Sequence, residues 1–420
     1  MTNNPFKDPN GKSYEDQICS MLLARGYYLE TRLILRKYSQ EVLEFDAIAT
    51  PVNDWGARTI VEVKSGEWGI SDMFKLYGQT TFTGESTAWL IHKNPQHDES
   101  RKQIIADISK RICVQTFQVT SYDDVDSIPL GLDIPKKISE CVYAASWLSR
   151  TAERIAQSRF NNWRKSHSKI PEPIESARQY LEEVNSSVFR KGPFSRTMAL
   201  YNAYQNHPRV TRSLIEHTAD RKGWREDCVK RKVFGKGGLA HIQYVGAQEH
   251  RARAAIIKNA YDAIREDDND CDVSTDQRIE RIFRQLLPNS FVAGMRRMES
   301  LQYAEKLPRF LQLFVEVFGG FLCPDDPEEL SLISLATGVQ KKDIKDALDV
   351  YNHFFPINGN WIHRGDNVLF LKTVPSYLKA AGCFLRYCVY GDNWQGRFPQ
   401  LRNQIPMWCK SLSDLFGKTE

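Results

Sequence analysis

The chain has 420 residues and a formal net charge of +5, and its charged residues are interspersed with apolar ones. This length exceeds what one ordinary hydrophobic core organises, so we expect two to three domains. No apolar run could span a bilayer, and residues 1–16 lack the apolar segment of a signal peptide, which predicts a cytoplasmic protein without membrane contact. Nine scattered cysteines without a CxxC pair favour reduced thiols and argue against a zinc site.

The first third of the chain predicts an α/β domain. Residues 13–26 have a helical pattern, with Ser13 as N-cap and Gly26 at the end. Alternating, β-branched runs that follow predict strands at 27–38, 41–50, 58–65, 86–93 and 114–122. Helical periods predict helices at 71–84 and 98–113, so the order after the first helix is three strands, a helix, a strand, a helix and a strand. Ser71 or Asp72 would cap the second helix.

From about residue 140 the hydrophobic period becomes helical. Helices are predicted at 144–166, 176–189, 251–267, 275–288 and 307–322. Between them, 226–246 has the glycines and charges of a loop, and its "FGKGGLAH" lacks the spacing of a nucleotide-binding P-loop. Further on, a helix (327–339), a second helix (340–355) and a hairpin (360–373) together resemble a winged helix.

Positive charge is concentrated in the middle of the chain. Residues 150–260 hold 22 Lys and Arg against 10 Asp and Glu. Such a concentration indicates a nucleic-acid-binding surface, with a solvated helical face as the alternative. The expected nucleic-acid contacts are Lys222, Arg225, Lys230, Arg231, Lys232 and Lys236. The second helix of the winged-helix segment is near neutral, which favours a protein partner over DNA there.

Charged side chains occur where the third strand should be buried. Glu62 and Lys64 are two positions apart, so they share one face of that strand. Asp46 lies in the preceding strand, with fifteen residues between it and Glu62, and adjacent strands could bring the three together. Two carboxylates suit Mg²⁺ or Mn²⁺, and a neighbouring lysine could position a water and offset negative charge on a phosphodiester. The alternative is an edge pair that faces solvent.

"EFD" followed by "EVK" resembles the signature of the PD-(D/E)XK nuclease superfamily, and the form is similar to its Mrr-like restriction endonucleases and archaeal-type Holliday junction resolvases. The resemblance covers about residues 10–120 and implies a restriction-endonuclease-like core of order α-β-β-β-α-β. It implies that Glu15 joins Asp46 and Glu62 at the metal, and that Lys64 and Gln79 complete the catalytic set. Phe45 stands where the family often has proline. Lys75 and Tyr77, near Gln79, are further candidates to contact the scissile strand.

These patterns predict four segments: a nuclease-like domain (1–140), a basic helical domain (141–323), a winged-helix-like segment (324–380) and a C-terminal helical extension (381–420). The expected function is a metal-dependent endonuclease that acts on double-stranded DNA as a restriction or anti-phage effector, alone, as a homodimer or with a partner protein; RNA remains an alternative substrate. The other hypotheses are a non-cleaving nucleic-acid-binding scaffold and a transcription regulator.

Overall fold

The computed structural model divides the chain into two compact units, Met1–Thr151 and Ala152–Glu420. It describes residues 6, 8–37, 40–54, 57–94, 98–165, 172–190, 192–206, 235–266, 273–284, 286–355, 362–364, 367–371, 374–402, 405–406 and 408. Across this part of the chain, no helix is long and apolar enough to cross a membrane.

The first unit is built on a five-stranded mixed sheet of order β1-β2-β3-β4-β5. β1, β2 and β3 pair antiparallel, whereas β3, β4 and β5 pair parallel. Its elements are α1 (Lys12–Ala24), β1 (Tyr27–Lys37), β2 (Gln40–Pro51), β3 (Thr59–Lys64), α2 (Ile70–Thr83), β4 (Thr87–His92), α3 (Glu99–Ile112), β5 (Val114–Gln118) and a 3-10 helix (Tyr122–Ser127). The predicted α/β order is therefore confirmed, with ends that differ by a few residues.

Apolar spacing explains why α1 lies on the sheet. Tyr14, Ile18 and Leu22 recur at intervals of four and are fully buried. Gly26 follows the helix with φ 96°, and a Cβ there would lie 2.2 Å from the backbone nitrogen of Leu132. Only glycine fits this turn, as expected from the sequence, and it lets the chain reverse from α1 into β1.

The predicted helix caps are wrong at both helices. The N-cap of α1 is Gly11, and Ser13 lies inside the first turn, where its hydroxyl bonds to the backbone of Asn10. The N-cap of α2 is Gly69, two residues before Ser71, and the Asp72 carboxylate accepts the Gly69 N–H. At α1 the chain enters through Gly11 with φ 53°, a conformation that a side chain would oppose, whereas Gly69 at α2 has an extended backbone that any residue can adopt.

The second unit is mainly helical. Helix α4 (Lys136–Lys165) contains the boundary between the units. The described elements that follow are α5 (Glu172–Ser186), a 3-10 helix (Ser187–Phe189), α6 (Pro193–Asn206), α7 (Gly235–Glu266), α8 (Thr275–Phe283), α9 (Asn289–Glu299), a 3-10 helix (Ala304–Lys306) and α10 (Leu307–Glu316).

Part of the segment predicted as a loop is helical. Residues 235–246, from the predicted loop 226–246, form the start of α7. The prediction relied on Gly235, Gly237 and Gly238 as helix breakers, but a glycine costs an isolated helix only about 1 kcal/mol. The apolar residues Leu239 and Ile242 keep the helical period through this stretch.

A short sheet organises the end of the second unit. β6 (Phe321–Leu322), β7 (Ile362–Arg364) and β8 (Leu369–Leu371) pair antiparallel in the order β6-β8-β7. Between β6 and β7 lie α11 (Pro327–Thr337), a 3-10 turn (Lys341–Asp343) and α12 (Ile344–Phe354). Helix α13 (Ser376–Tyr390), a 3-10 turn (Gly391–Asn393), α14 (Trp394–Arg397) and a 3-10 turn (Pro399–Leu401) follow the hairpin. The predicted helix–helix–hairpin succession is therefore present.

Candidate functional site at the end of strand β3

Strands β2 and β3 separate where the candidate residues lie. Their ladder runs through Ala49↔Thr59, Ile48↔Ile60 and Ala47↔Val61 and, within the described strands, ends there. The Asp46 carboxylate instead accepts the Val63 N–H at 2.8 Å. Because opposite residues of antiparallel strands point to the same face, Asp46 and Glu62 share one face of the sheet.

Strand β3 is where the sheet changes from antiparallel to parallel pairing. β3 pairs antiparallel with β2 on one side and parallel with β4 on the other. Because β3 and β4 are parallel, their carboxyl ends lie at the same edge of the sheet, and Lys64, the last residue of β3, pairs there with His92.

Glu62 is buried, with 6 % of its surface exposed, and two ammonium groups compensate its charge. Its Oε1 lies 2.9 Å from Lys64 Nζ and 3.3 Å from Lys75 Nζ. Lys64 Nζ also lies 3.4 Å from Asp72 Oδ1 at the start of α2. Burial would lower the pKa of Lys64, but the hydrogen bond and charge of Glu62, with the charge of Asp72, outweigh burial and raise it. Lys64 is therefore an ammonium at neutral pH.

The start of α1 is held beside the end of β3. The Gly11 N–H donates to Ser65 Oγ at 2.7 Å, which brings the first turn of α1, with Glu15, to this end of the sheet. Burial raises the pKa of Glu15, although the positive charges of Arg32 and Lys12 oppose that shift.

Negative charge accumulates around Asp46. Burial raises its pKa well above the ordinary value, and the charges of Glu62 and Glu15 raise it further, while the Val63 N–H opposes the shift. Glu44, two residues earlier on the same face of β2, also has a raised pKa because it is half-buried and lies near Glu41. A group of carboxylates that disfavours its own ionisation gains from a bound cation.

Gln79 is buried on the inner side of α2, with 3 % of its surface exposed. Its Nε2 donates to the Glu44 carbonyl oxygen at 3.1 Å, and its Oε1 accepts no hydrogen bond. The amide thus links α2 to β2 next to Asp46. The alternative of an exposed helix residue is wrong for Gln79, because the sheet covers this face of α2.

The donor set suits a hard cation held by two carboxylates. Among the residues that the structure describes, no group of three or more His, Cys, Asp or Glu side chains converges on one point. Asp46 and Glu62 offer oxygen ligands on one face, and Mg²⁺ often takes only one or two carboxylates together with waters and phosphate. Glu15 interacts with Asp46 through charge, and its role as a ligand stays a prediction.

No protein-family model, curated protein or solved structure matches this chain. The arguments for its function therefore come from the residues and geometry of the site.

The expected nucleic-acid contacts of the basic middle are not described. Lys222, Arg225, Lys230, Arg231 and Lys232 lie outside the described residues, and Lys236 lies in α7, where only the backbone is described at that position. Their role stays a prediction.

Sequence reasoning missed Asp72 and Glu44 as parts of this site. Glu44 could have been found from strand alternation, since it precedes Asp46 by two residues on the same face. Asp72 was considered only as a helix cap. Its second contact, with Lys64, depends on how α2 packs against β3, and no local pattern reports that packing.

Proposed function

We propose that this chain is a divalent-metal-dependent nuclease of the PD-(D/E)XK type, and that it is an endonuclease of double-stranded DNA in preference to RNA. The observation that carries the proposal is that Asp46, bonded to the Val63 N–H, shares one face and a charge interaction with Glu62, which pairs with Lys64. The helix, three strands, helix, strand order of the first unit supports it, because the superfamily core has this order.

In phosphodiester hydrolysis the carboxylates and the lysine would have different roles. Asp46 and Glu62 would hold Mg²⁺ or Mn²⁺, which when bound supplies a Lewis acid for a phosphate oxygen and lowers the pKa of a water. Hydrolysis would form a bond from the water oxygen to phosphorus and break the bond to the leaving oxygen; the water gives its proton to solvent, and the leaving oxygen takes a proton from solvent. Lys64 is an ammonium, so it donates hydrogen bonds that orient the water and offset charge on the phosphate, and it does not take up the proton.

Gln79 and Glu15 act through other groups in this proposal. The Gln79 amide fixes the backbone of β2 at Glu44, two residues from Asp46, and is a positioning residue. Glu15 adds negative charge beside Asp46, which strengthens the attraction for a cation.

The second unit would bind nucleic acid and recruit partners. The order β6-β8-β7 with α11 and α12 supports a winged-helix-like segment. Two charged side chains of α12 are engaged within the unit, since Lys345 pairs with Asp325 at 3.1 Å and Asp346 with Arg297 at 3.3 Å. We therefore assign this segment to a protein partner or a second copy, and DNA contact to the basic middle. Such an arrangement fits a cytoplasmic restriction or anti-phage effector.

The test is an incubation of the purified chain with supercoiled plasmid, single-stranded DNA and RNA, each with Mg²⁺, Mn²⁺ or EDTA. We expect plasmid nicking or linearisation with either metal and none in EDTA, because the carboxylates need a cation to act on a phosphate. If RNA is the one nucleic acid that is cleaved, the proposed substrate is wrong and the chain is a ribonuclease. Binding without cleavage in every metal would favour the scaffold hypothesis.

A further inference from the structure

Two lysines contact the same oxygen of Glu62, but they are held differently. Lys64 has a second carboxylate partner, Asp72, and its side chain is 26 % exposed. Lys75 contacts Glu62 Oε1 at 3.3 Å and has a side chain that is 54 % exposed. Among the described residues, Glu62 is the one carboxylate with which Lys75 forms an ion pair.

We propose that Lys75 is a substrate-phosphate contact whose ion pair with Glu62 opposes metal binding, an inference that rests on the nuclease function proposed above. A cation that binds Glu62 competes with both ammonium groups for the carboxylate. Lys64 keeps Asp72 as a partner when this happens, whereas Lys75 loses its counter-charge.

The position of Lys75 determines where its charge can then go. Lys75 lies on α2 one turn before Gln79, and its ammonium borders the site at Glu62 on β3, whereas Gln79 contacts β2. A flexible, half-exposed ammonium beside a metal-bound carboxylate is complementary to a phosphate oxygen, and charge-assisted hydrogen bonds of this kind are among the strong ones. Lys75 would thus exchange Glu62 for the nucleic-acid backbone.

The two roles of Lys75 predict effects of opposite direction. Removing its charge frees Glu62 for the metal, so metal affinity rises, while the lost phosphate contact lowers substrate affinity. A lysine with only a structural role would lower both or change neither. This opposition makes the inference testable without relying on activity alone.

The first measurement is a calorimetric titration of the full chain with Mn²⁺, without nucleic acid, for wild type and Lys75→Gln. We expect Lys75→Gln to bind Mn²⁺ about two- to fivefold more tightly, the size that loss of a partly exposed ion pair allows. The matched control is Lys102→Gln on α3, which also removes a half-exposed lysine paired with a glutamate, Glu99, at 2.9 Å. Its Mn²⁺ affinity should equal that of wild type.

The second measurement compares cleavage kinetics of the same variants at saturating metal. We expect Lys75→Gln to raise KM for DNA about tenfold, as loss of one charged hydrogen bond would, and Lys75→Arg to restore most of it. Unchanged or weaker Mn²⁺ binding by Lys75→Gln would overturn the inference while leaving the nuclease function intact. A wild-type chain that neither binds Mn²⁺ nor cleaves nucleic acid would overturn the proposed function itself.

Discussion

The carboxylate of Asp46 is less favourable in the folded chain than in water. It is half-buried in the middle of β2, and Glu62 and Glu15 add negative charge nearby. One backbone N–H, from Val63, compensates it in part. Charge that destabilises the fold is common at functional sites, where binding of the ligand relieves it.

The unfavourable ionisation of Asp46 should be visible in how the free energy of unfolding depends on pH. The pKa of Asp46 is raised in the folded state, so ionising it costs more there than in the unfolded chain. Stability from this group is present below the unfolded pKa of about 3.9 and is lost as pH rises through the raised folded value. Asp46→Asn cannot ionise and keeps an acceptor for the Val63 N–H, so it should be more stable than wild type at pH 7.5, by about 1 kcal/mol.

Urea unfolding of the full chain without divalent metal at pH 7.5 and near pH 4 measures this effect. The difference between Asp46→Asn and wild type should shrink toward zero at the lower pH. Two results would contradict this account: an Asp46→Asn variant that is less stable than wild type at pH 7.5, or a difference in unfolding free energy that is the same at both pH values. Either would show that ionisation of Asp46 does not destabilise the fold.

At the scale of elements, the strands of the first unit could be predicted and the contacts of its helices could not. Alternation along β3 assigns Glu62 and Lys64 to one face before any tertiary contact is known. The sequence indicates that Asp46 could join them, and the register of β2 against β3 decides that it does. The pairs of Lys64 with Asp72 and Lys75 with Glu62 require the position of α2 on the sheet. The hydrophobic periodicity of a helix predicts which face is buried, but it does not predict where along a strand that face packs.

The errors at element ends have a similar origin. Ser13 has the chemistry of an N-cap, yet α1 begins earlier because the Gly11 N–H is satisfied by Ser65, more than fifty residues away. At α7, glycines were weighed as breakers although the apolar period continues through them. At α1 the local signal competes with a contact that forms only in the folded chain, and at α7 the continuing apolar period outweighs the cost of the glycines.

At the scale of the whole molecule, the proposed function requires the basic middle and the carboxylate site to act on the same polyanion. Reversal of Lys230, Arg231 and Lys232 to Glu should weaken DNA binding, because each lost phosphate contact reduces counterion release. The slope of log affinity against log salt should fall by roughly three. Electrophoretic or anisotropy titrations at several salt concentrations measure this slope.

The matched control reverses Lys341, Lys342 and Lys345, which are exposed around the start of α12. This variant should keep most of the salt dependence, because we assign the winged-helix-like segment to a protein partner. Equal losses of salt dependence in both variants would show a general effect of net charge. A loss confined to the control would show that α12, and not the basic middle, contacts DNA.

The most direct test of the central claim is the cleavage rate of plasmid DNA in Mg²⁺ by Asp46→Ala, Glu62→Ala and Lys64→Ala. The controls are Asp107→Ala and Lys102→Ala, which alter exposed residues of α3. The proposed mechanism predicts no detectable cleavage by the two carboxylate variants, a loss of roughly 10²–10³-fold for Lys64→Ala, the size for loss of one charge-stabilising donor, and wild-type rates for both controls. Folded Asp46→Ala and Glu62→Ala variants that cleave at the wild-type rate would contradict the assignment of this site.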